Sequence, residues 1–357
     1  MAGKKEISLG VIGFGHWGPN YVRNFSRVKN ARVKSVCDID PRRREVLADM
    51  FPHIRPENNF RAVLKDPEIN AVVIATPAST HHRFVKESLL AGKDVLCEKP
   101  LCDRADLAWE LDKLARKQKK ILSVGHVFRF NDGVEEIRKL LTAKRLGKVY
   151  YIHIKHTNLG PVRTDVNVVW DLAPHDISIL YHVLGTWPLE VSATGFAIFK
   201  NRREDFAFIS LRYPGEILCH LHVSWIEPAK IRQMIVVGEK KMAIWDDIAL
   251  NPIEIHEKWL EKEAFYRDFG EFQLIPKVGP ISIPRVVMSE PLLELCKDFI
   301  RSAIKRSQPR VSAREGVNNS TIIEGINKSI ALRGKPIEVK YAERRTRSRR
   351  TRARRQN

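Results

Sequence analysis

The sequence predicts an α/β protein, in which a doubly wound parallel-sheet domain precedes an α+β domain with a large open, mainly antiparallel sheet. Three observations predict it. Short β-branched runs alternate with amphipathic stretches from the start of the chain, a glycine-rich turn directly follows the first run, and the rhythm changes after about residue 126. At 357 residues the chain is long for a single core, so two domains are the natural division.

The elements follow in order. Ile7–Ile12 reads as a buried strand, 16–29 as a helix, 32–37 as a strand and 41–51 as a helix. A short strand or turn near 60 leads into a helix at 61–66, then come a strand at 71–75, a helix near 80–91 and the strand Asp94–Cys97. A long helix at 103–118 and a strand at 121–124 complete the series. Each apolar run is buried on both faces and each crossover is helical, which is the signature of a parallel sheet. Beyond it, a helix at 132–142 precedes strand-like runs at 148–157, 190–200, 204–213, 216–225 and 231–237, with a helix containing 171–184 among them. The turn Tyr213-Pro214-Gly215-Glu216 joins two of these runs as a hairpin would. Four prolines within 276–291 predict an extended loop there, before helices at about 289–306 and 312–333. The expected domains are 1–125, 126–342 and a tail at 343–357.

Composition bounds the function. Apolar residues at 43% and charged residues at 29% are ordinary for a globular protein. No apolar stretch reaches the length of a membrane span, and the start passes straight into a strand, so a cytoplasmic protein is expected. The five cysteines form no Cys-x-x-Cys pair and match no zinc spacing, so they are read as reduced thiols and no metal site is expected. The net charge is +20, and eight of the arginines lie between Arg344 and Arg355. That run repels itself and carries no apolar period, so it reads as a disordered extension. Contact of this tail with nucleic acid or acidic lipid is the alternative reading.

The strongest local signal is Gly13-Phe14-Gly15-His16-Trp17-Gly18, between a strand and a helix, with Asp38 ending the second strand. This context meets the tests for a dinucleotide-binding (Rossmann) fingerprint. Gly13 permits the tight turn, Gly15 admits a pyrophosphate to the backbone, and Gly18 lets helix and strand pack closely. The helix N-terminus then offers N–H groups to the phosphates. Asp38 suits the ribose hydroxyls of NAD and repels a 2′-phosphate, although Arg42-Arg43-Arg44 leaves NADP as the alternative. Thr76-Pro77 ends a buried strand where such sheets place ligands. His81 follows, either at the cofactor or as a capping or surface histidine.

Gly13–Gly18, Thr76-Pro77 with His81, and above all Glu98-Lys99-Pro100 resemble the glucose–fructose oxidoreductase / inositol dehydrogenase (Gfo/Idh/MocA) family. Asp171-Leu172-Ala173-Pro174-His175 matches the family's Asp-x-x-x-His motif, with a proline before the histidine as a departure. The resemblance covers roughly residues 6 to 340. It implies a Rossmann domain with Glu98 and Lys99 at the cofactor, and a second domain whose open sheet forms a homodimer or homotetramer. It also implies that Lys99 and His175 act on one substrate hydroxyl.

The chemistry fits these residue types. Oxidation of a secondary alcohol needs a hydride acceptor, which nicotinamide supplies, and a proton acceptor at the oxygen. Asp171 and His175 are four apart, hence on one helix face, if a helix begins close to Asp171 with Pro174 in its first turn. His175 is then the general base, Lys99 hydrogen-bonds the forming alkoxide, and Asp171 holds substrate or orients the pair. The competing readings are a core histidine, a surface lysine and a helix cap. Arg129 reads as a substrate contact or an interdomain salt bridge. The segment 158–167, running into Trp170-Asp171, looks like members that oxidise C3 of UDP-linked N-acetylhexosamines. There Arg163 and Lys155 would meet phosphates and Asn167 an acetamido group; otherwise the segment is a structural crossover. A dehydrogenase of a free sugar or cyclitol is the alternative enzyme, and a non-catalytic NAD-sensing regulator the alternative from another class.

Overall fold

The computed structural model describes residues 6–163, 165–199, 203–262 and 274–341. The arginine-rich tail and Thr164 lie outside them. The described residues divide into two compact units, the first built from 6–130 with Ser289–Glu324 and 340–341, the second from those within Asn131–Met288 and Gly325–Val339.

The first unit runs β1 (Ile7–Ile12), α1 (Gly18–Phe25), β2 (Ala31–Cys37), α2 (Pro41–Met50), β3 (Arg55–Glu57), α3 (Phe60–Lys65), β4 (Ala71–Ile74), α4 (Ala78–Leu90), β5 (Asp94–Cys97), α5 (Ala105–Lys117) and β6 (Leu122–Val124). The strands form one parallel sheet in the order β3-β2-β1-β4-β5-β6. The order reverses beside β1, which puts the ends of β1 and β4 at the crevice where such sheets bind ligands. Leu9, Val11, Val72, Val73, Val95 and Leu96 are wholly buried because helices cover both faces.

In the second unit come α6 (Asp132–Thr142), β7 (Val149–Leu159), α7 (Val168–Leu184), β8 (Glu190–Phe196), β9 (Phe206–Arg212), β10 (Leu218–Ser224), β11 (Ile226–Gly238), β12 (Met242–Asp246), β13 (Ile253–Lys262) and β14 (Leu274–Ser282). Then follow α8 (Pro291–Lys305), α9 (Ala313–Ala331) and β15 (Ile337–Glu338). The nine strands β7–β15 make one sheet in the order β14-β13-β12-β11-β7-β10-β9-β8-β15. All its neighbours are antiparallel except β7 and β10. Alternation sets its faces: Ile152, Ile154, Leu221 and Val223 are wholly buried, while Tyr151 and Leu218 are about half exposed. α7, rich in fully buried residues, packs against β7, β9 and β10.

Three expectations are corrected. The boundary is not 1–125 followed by 126–342, because α8 joins the first unit. Its Leu292, Leu295, Phe299 and Ile300 enter that unit's core, with Phe299 edge-on to Phe25 at 6.4 Å. The proline-rich stretch is not all loop: Pro276 and Pro280 lie in β14, an edge strand of the sheet, where a missing N–H is tolerated. Finally, α7 begins at Val168, so Pro174 stands inside the helix rather than in its first turn. The start is set earlier by Asn167, whose side chain accepts from the Trp170 N–H at 3.0 Å. Pro174 costs the helix the bond its N–H would have made to the Trp170 carbonyl.

Candidate functional site

In the first unit, β1 hands the chain to α1 through a turn that only glycine tolerates at two points. Gly13 sits at φ +97°, and a Cβ there would stand 2.6 Å from the Ala75 carbonyl oxygen. A Cβ on Gly18 would come within 2.4 Å of the Gly13 oxygen. Among the described residues no side chain caps α1, so the main-chain N–H groups of its first turn, with Pro19 lacking one, are what this end offers to an anion. The Phe14 side chain turns into the core, edge-on to Phe51, whereas His16 is exposed and Trp17 half-buried. Phe14 therefore contributes its backbone here.

Asp38 is tied to the same turn. Its Oδ2 accepts from the Phe14 N–H at 2.7 Å and its Oδ1 from the Asp40 N–H at 2.9 Å. Arg43 lies 3.4 Å from Oδ2, and Arg44 donates to the Asp38 and Ile39 carbonyls. Two of the three arginines that left NADP open are thus engaged around Asp38.

The turn after β4 and the Glu98-Lys99-Pro100 loop after β5 are joined by His81. Its ring is 1% exposed, with Nε2 2.8 Å from the Thr76 carbonyl oxygen and Nδ1 2.8 Å from that of Pro100. Both nitrogens lie against backbone carbonyls, so His81 ties the two loops together. Thr76 Oγ1 pairs with Thr80 Oγ1 at 2.7 Å, and Pro77 is the N-cap of α4. Glu98 likewise faces inward. Its carboxylate accepts from the Tyr21 hydroxyl at 2.6 Å and from the Lys99 N–H at 3.0 Å. Burial pushes Glu98 above the usual carboxylate range, against the pull of Tyr21 and Lys99. Glu98 is an anchor for the backbone that presents the half-buried Lys99.

Sequence reasoning missed two residues here. Tyr21 is one, since nothing in α1's pattern announces a partner 77 residues away. His126 is the other. It follows β6, is 1% exposed, and makes no hydrogen bond to a described residue through either ring nitrogen. Burial, with Arg129 and Lys99 adding, pushes its imidazole down to about 3, so it is a neutral ring near Lys99. Arg129 itself pairs with Glu315 at 3.0 Å, both nearly buried. Of the two readings of Arg129, a salt bridge is what the structure contains, and it lies within the first unit rather than between domains.

In the second unit, Asp171 and His175 lie one turn apart on α7. Asp171 Oδ2 accepts from the Trp225 indole N–H at 3.1 Å, and Oδ1 lies 3.3 Å from Arg163 Nη1. Arg163 also grips Asp165 through Nε and Nη2 at 2.9 and 2.6 Å. Asp171 is therefore a fixed carboxylate, with Trp225, on the end of the β10–β11 region, as the partner the sequence did not reveal. His175 is 9% exposed and its ring lies 6.2 Å from that of His156. The expected readers of a nucleotide sugar have other partners. Arg163 is neutralised by two carboxylates, Lys155 pairs with Glu227 at 2.5 Å, and Asn167 caps α7 while donating to Glu204 and Asn327.

Among the described residues, no cluster of His, Cys, Asp and Glu is arranged to hold a metal, and no helix is long and apolar enough to cross a membrane.

Comparison with known proteins adds to this geometry. Residues 7–126 match the Gfo/Idh/MocA model described as an oxidoreductase family with an NAD-binding Rossmann fold, and residues 134–244 match that family's C-terminal domain. An uncharacterized oxidoreductase of Bacillus subtilis (strain 168) is 30% identical over 199 residues, 54% of this chain and 58% of that protein. Inositol 2-dehydrogenase 2 of Saccharopolyspora erythraea is 31% identical over 183 residues, 50% of this chain and 54% of the relative. The chain thus spans about half the length of the curated relatives it matches. Among solved structures, a UDP-N-acetylglucosamine 3-dehydrogenase from Acidithiobacillus ferrooxidans superposes with a TM-score of 0.76 at 21% identity, covering 92% of this chain and 98% of that one. That likeness is one of fold.

Proposed function

We propose, on the premise that the chain belongs to the Gfo/Idh/MocA family of NAD-binding oxidoreductases, that it is a dehydrogenase of a secondary hydroxyl on a sugar ring. The observation that carries this reading is the pair on α7. Asp171 is held by Trp225 and Arg163, which fixes a carboxylate one turn before His175. His175 takes the hydroxyl proton as general base. Lys99, presented by the Glu98 anchor, hydrogen-bonds the oxygen and stabilises it as it becomes an alkoxide. The first-turn N–H groups of α1 and the Gly13–Gly18 turn hold the pyrophosphate of NAD, and Asp38 holds its adenosine ribose. Bound NAD supplies the hydride acceptor.

For the substrate we propose C3 of a UDP-linked N-acetylhexosamine. The segment 158–167 before α7 supports this by its similarity to members that act there, and the body's positive surplus suits a diphosphate. Because Arg163, Lys155 and Asn167 are engaged internally, the sugar nucleotide must find other donors or displace these. A cyclitol is the second reading, favoured by the inositol 2-dehydrogenase relative. Association of copies through the open sheet belongs to the same proposal, with Tyr151, Phe208 and Leu218 exposed on β7, β9 and β10.

Absorbance of reduced nicotinamide, followed with UDP-N-acetylglucosamine, inositol and glucose, separates the substrates. Lys99→Met should bind NAD by calorimetry yet lose turnover by about 10²–10⁴-fold. Undiminished turnover in that variant removes Lys99 from the mechanism.

A further inference from the structure

We infer that Arg232 sets the charge of the imidazole beside His175, which makes Arg232 and His156 positioning residues for the proton-accepting histidine. This rests on the dehydrogenase reading above. Every observation behind it lies within the second unit.

His156, on β7, is 2% exposed and shares its sheet face with Ile152 and Ile154. Its Nδ1 is 3.0 Å from Oδ1 of Asp176, the residue after His175 on α7. Its Nε2 accepts from Nε of Arg232 at 3.2 Å, and Arg232 is its register partner on β11. A guanidinium can only donate, and an ionised carboxylate can only accept. The imidazole between them therefore carries one proton, on Nδ1, and its other nitrogen is blocked by an N–H. Arg232 is itself held in place. Its Nη1 donates to Asp247 Oδ2 at 2.8 Å, and Asp247 Oδ1 accepts from Asn131 Nδ2 at 2.9 Å.

The consequence is electrostatic. The His156 and His175 rings lie 6.2 Å apart, inclined by 43°. His175 becomes an imidazolium each time it takes a proton from substrate, and a second imidazolium at that distance would oppose it. Among the described residues, the titratable or charged groups against His156 are Asp176 and His175 from α7 and Arg232 from β11. From β10, the register partner is apolar Val223. With His156 held neutral, the Asp176 carboxylate is not cancelled by it and favours the proton on His175. Arg232 is answered by Asp247 on its far side. No sequence pattern shows this, because Arg232 stands 76 residues from His156 and joins it only through strand register.

The test is the imidazole nitrogen NMR of the full chain, which tells an Nδ1–H ring from an Nε2–H ring and from an imidazolium. The His156 signal is identified as the one lost in His156→Gln. In the wild type it should show the Nδ1–H pattern. In Arg232→Met that pattern should be lost, and Arg232→Lys, which keeps a donor, should restore it in part. In turnover, Arg232→Met should shift the acid limb of kcat/KM to lower pH by about one unit, with kcat changed more than KM. A wild-type His156 signal of the Nε2–H ring or of the imidazolium overturns the inference. So does an acid limb that stays put in Arg232→Met although the His156 signal has changed. If Arg232→Met does not fold, Asp247→Asn, which loosens Arg232, carries the same comparison. Absence of turnover with every sugar sinks the dehydrogenase reading instead, and the imidazole spectrum still decides whether Arg232 controls His156.

Discussion

The turn between β1 and α1 and the N-terminal half of α7 place their working atoms by opposite means. The turn is made of backbone: its shape follows from Gly13 at positive φ and from the close approach of Gly18 to the Gly13 oxygen. Most of the constraint comes from a handful of neighbouring residues, with Asp38 and Ala75 closing it. On α7 the working atoms are side chains, and each is fixed by a partner far along the chain. Asp171 depends on Trp225, 54 residues on, and Asp176 on His156, 20 residues before it. A backbone-built site is intolerant of added atoms, whereas a side-chain-built site is intolerant of lost partners. That difference yields three variants of descending effect.

The largest effect is expected where an atom is added to the turn. Gly13→Ala places a Cβ 2.6 Å from a backbone oxygen at φ +97°, so either the turn or β4 must move. It should destabilise the protein by about 1–3 kcal/mol and abolish measurable NAD binding by calorimetry. A variant that binds NAD as the wild type does would show that the turn is softer than its geometry implies, and the contrast with α7 would fail.

The same contrast explains what could be read in advance. The strands β1 and β5 and the helix α6 were legible to the residue, because apolar period and flanking turn residues act locally. The glycine fingerprint and Asp38 were legible for the same reason. Arg129, Arg163 and Asn167 were singled out by residue type, but their partners Glu315, Asp165 and Glu204 are connected to them by no spacing rule. Tyr21, His126, Trp225 and Arg232 were missed because a tyrosine in a helix or an arginine in a strand looks ordinary until the fold supplies its neighbour. β14 was missed for a different reason: prolines argue against a central strand, but at a sheet edge their lost N–H costs little.

Tyr21→Phe asks whether the first unit, too, depends on a distant partner. Burial raises Glu98 above the ordinary carboxylate range, so the folded protein holds that proton more tightly than the unfolded chain. Stability linked to Glu98 is then fully present below its ordinary value and falls as pH rises through the raised one. The Tyr21 hydroxyl opposes the rise by donating to the ionised form. Its removal should cost about 1.5–3 kcal/mol at neutral pH and clearly less near pH ~4, where the carboxyl keeps its proton. Urea midpoints at the two pH values measure it. Equal losses at both would mean that the hydroxyl matters only as packing.

The smallest effect should come from Asn167, and it separates scaffold from recognition on α7. Its Oδ1 caps the helix at the Trp170 N–H, and its Nδ2 already serves Glu204 and Asn327 at 2.7 and 2.6 Å. If those partners define its work, Asn167→Ala should lower stability by about 1 kcal/mol and leave KM for an N-acetylated sugar nucleotide in the same ratio to KM for the sugar nucleotide lacking the acetamido group. Asn167→Ser, which keeps a capping oxygen, should recover much of the loss. If instead Asn167 reads an acetamido group, the ratio of the two KM values should collapse toward one in Asn167→Ala, and Asn167→Ser should not restore it. The two outcomes are distinguishable because a cap acts on the helix whether or not substrate is bound, whereas a substrate contact acts only on the ligand that carries the group.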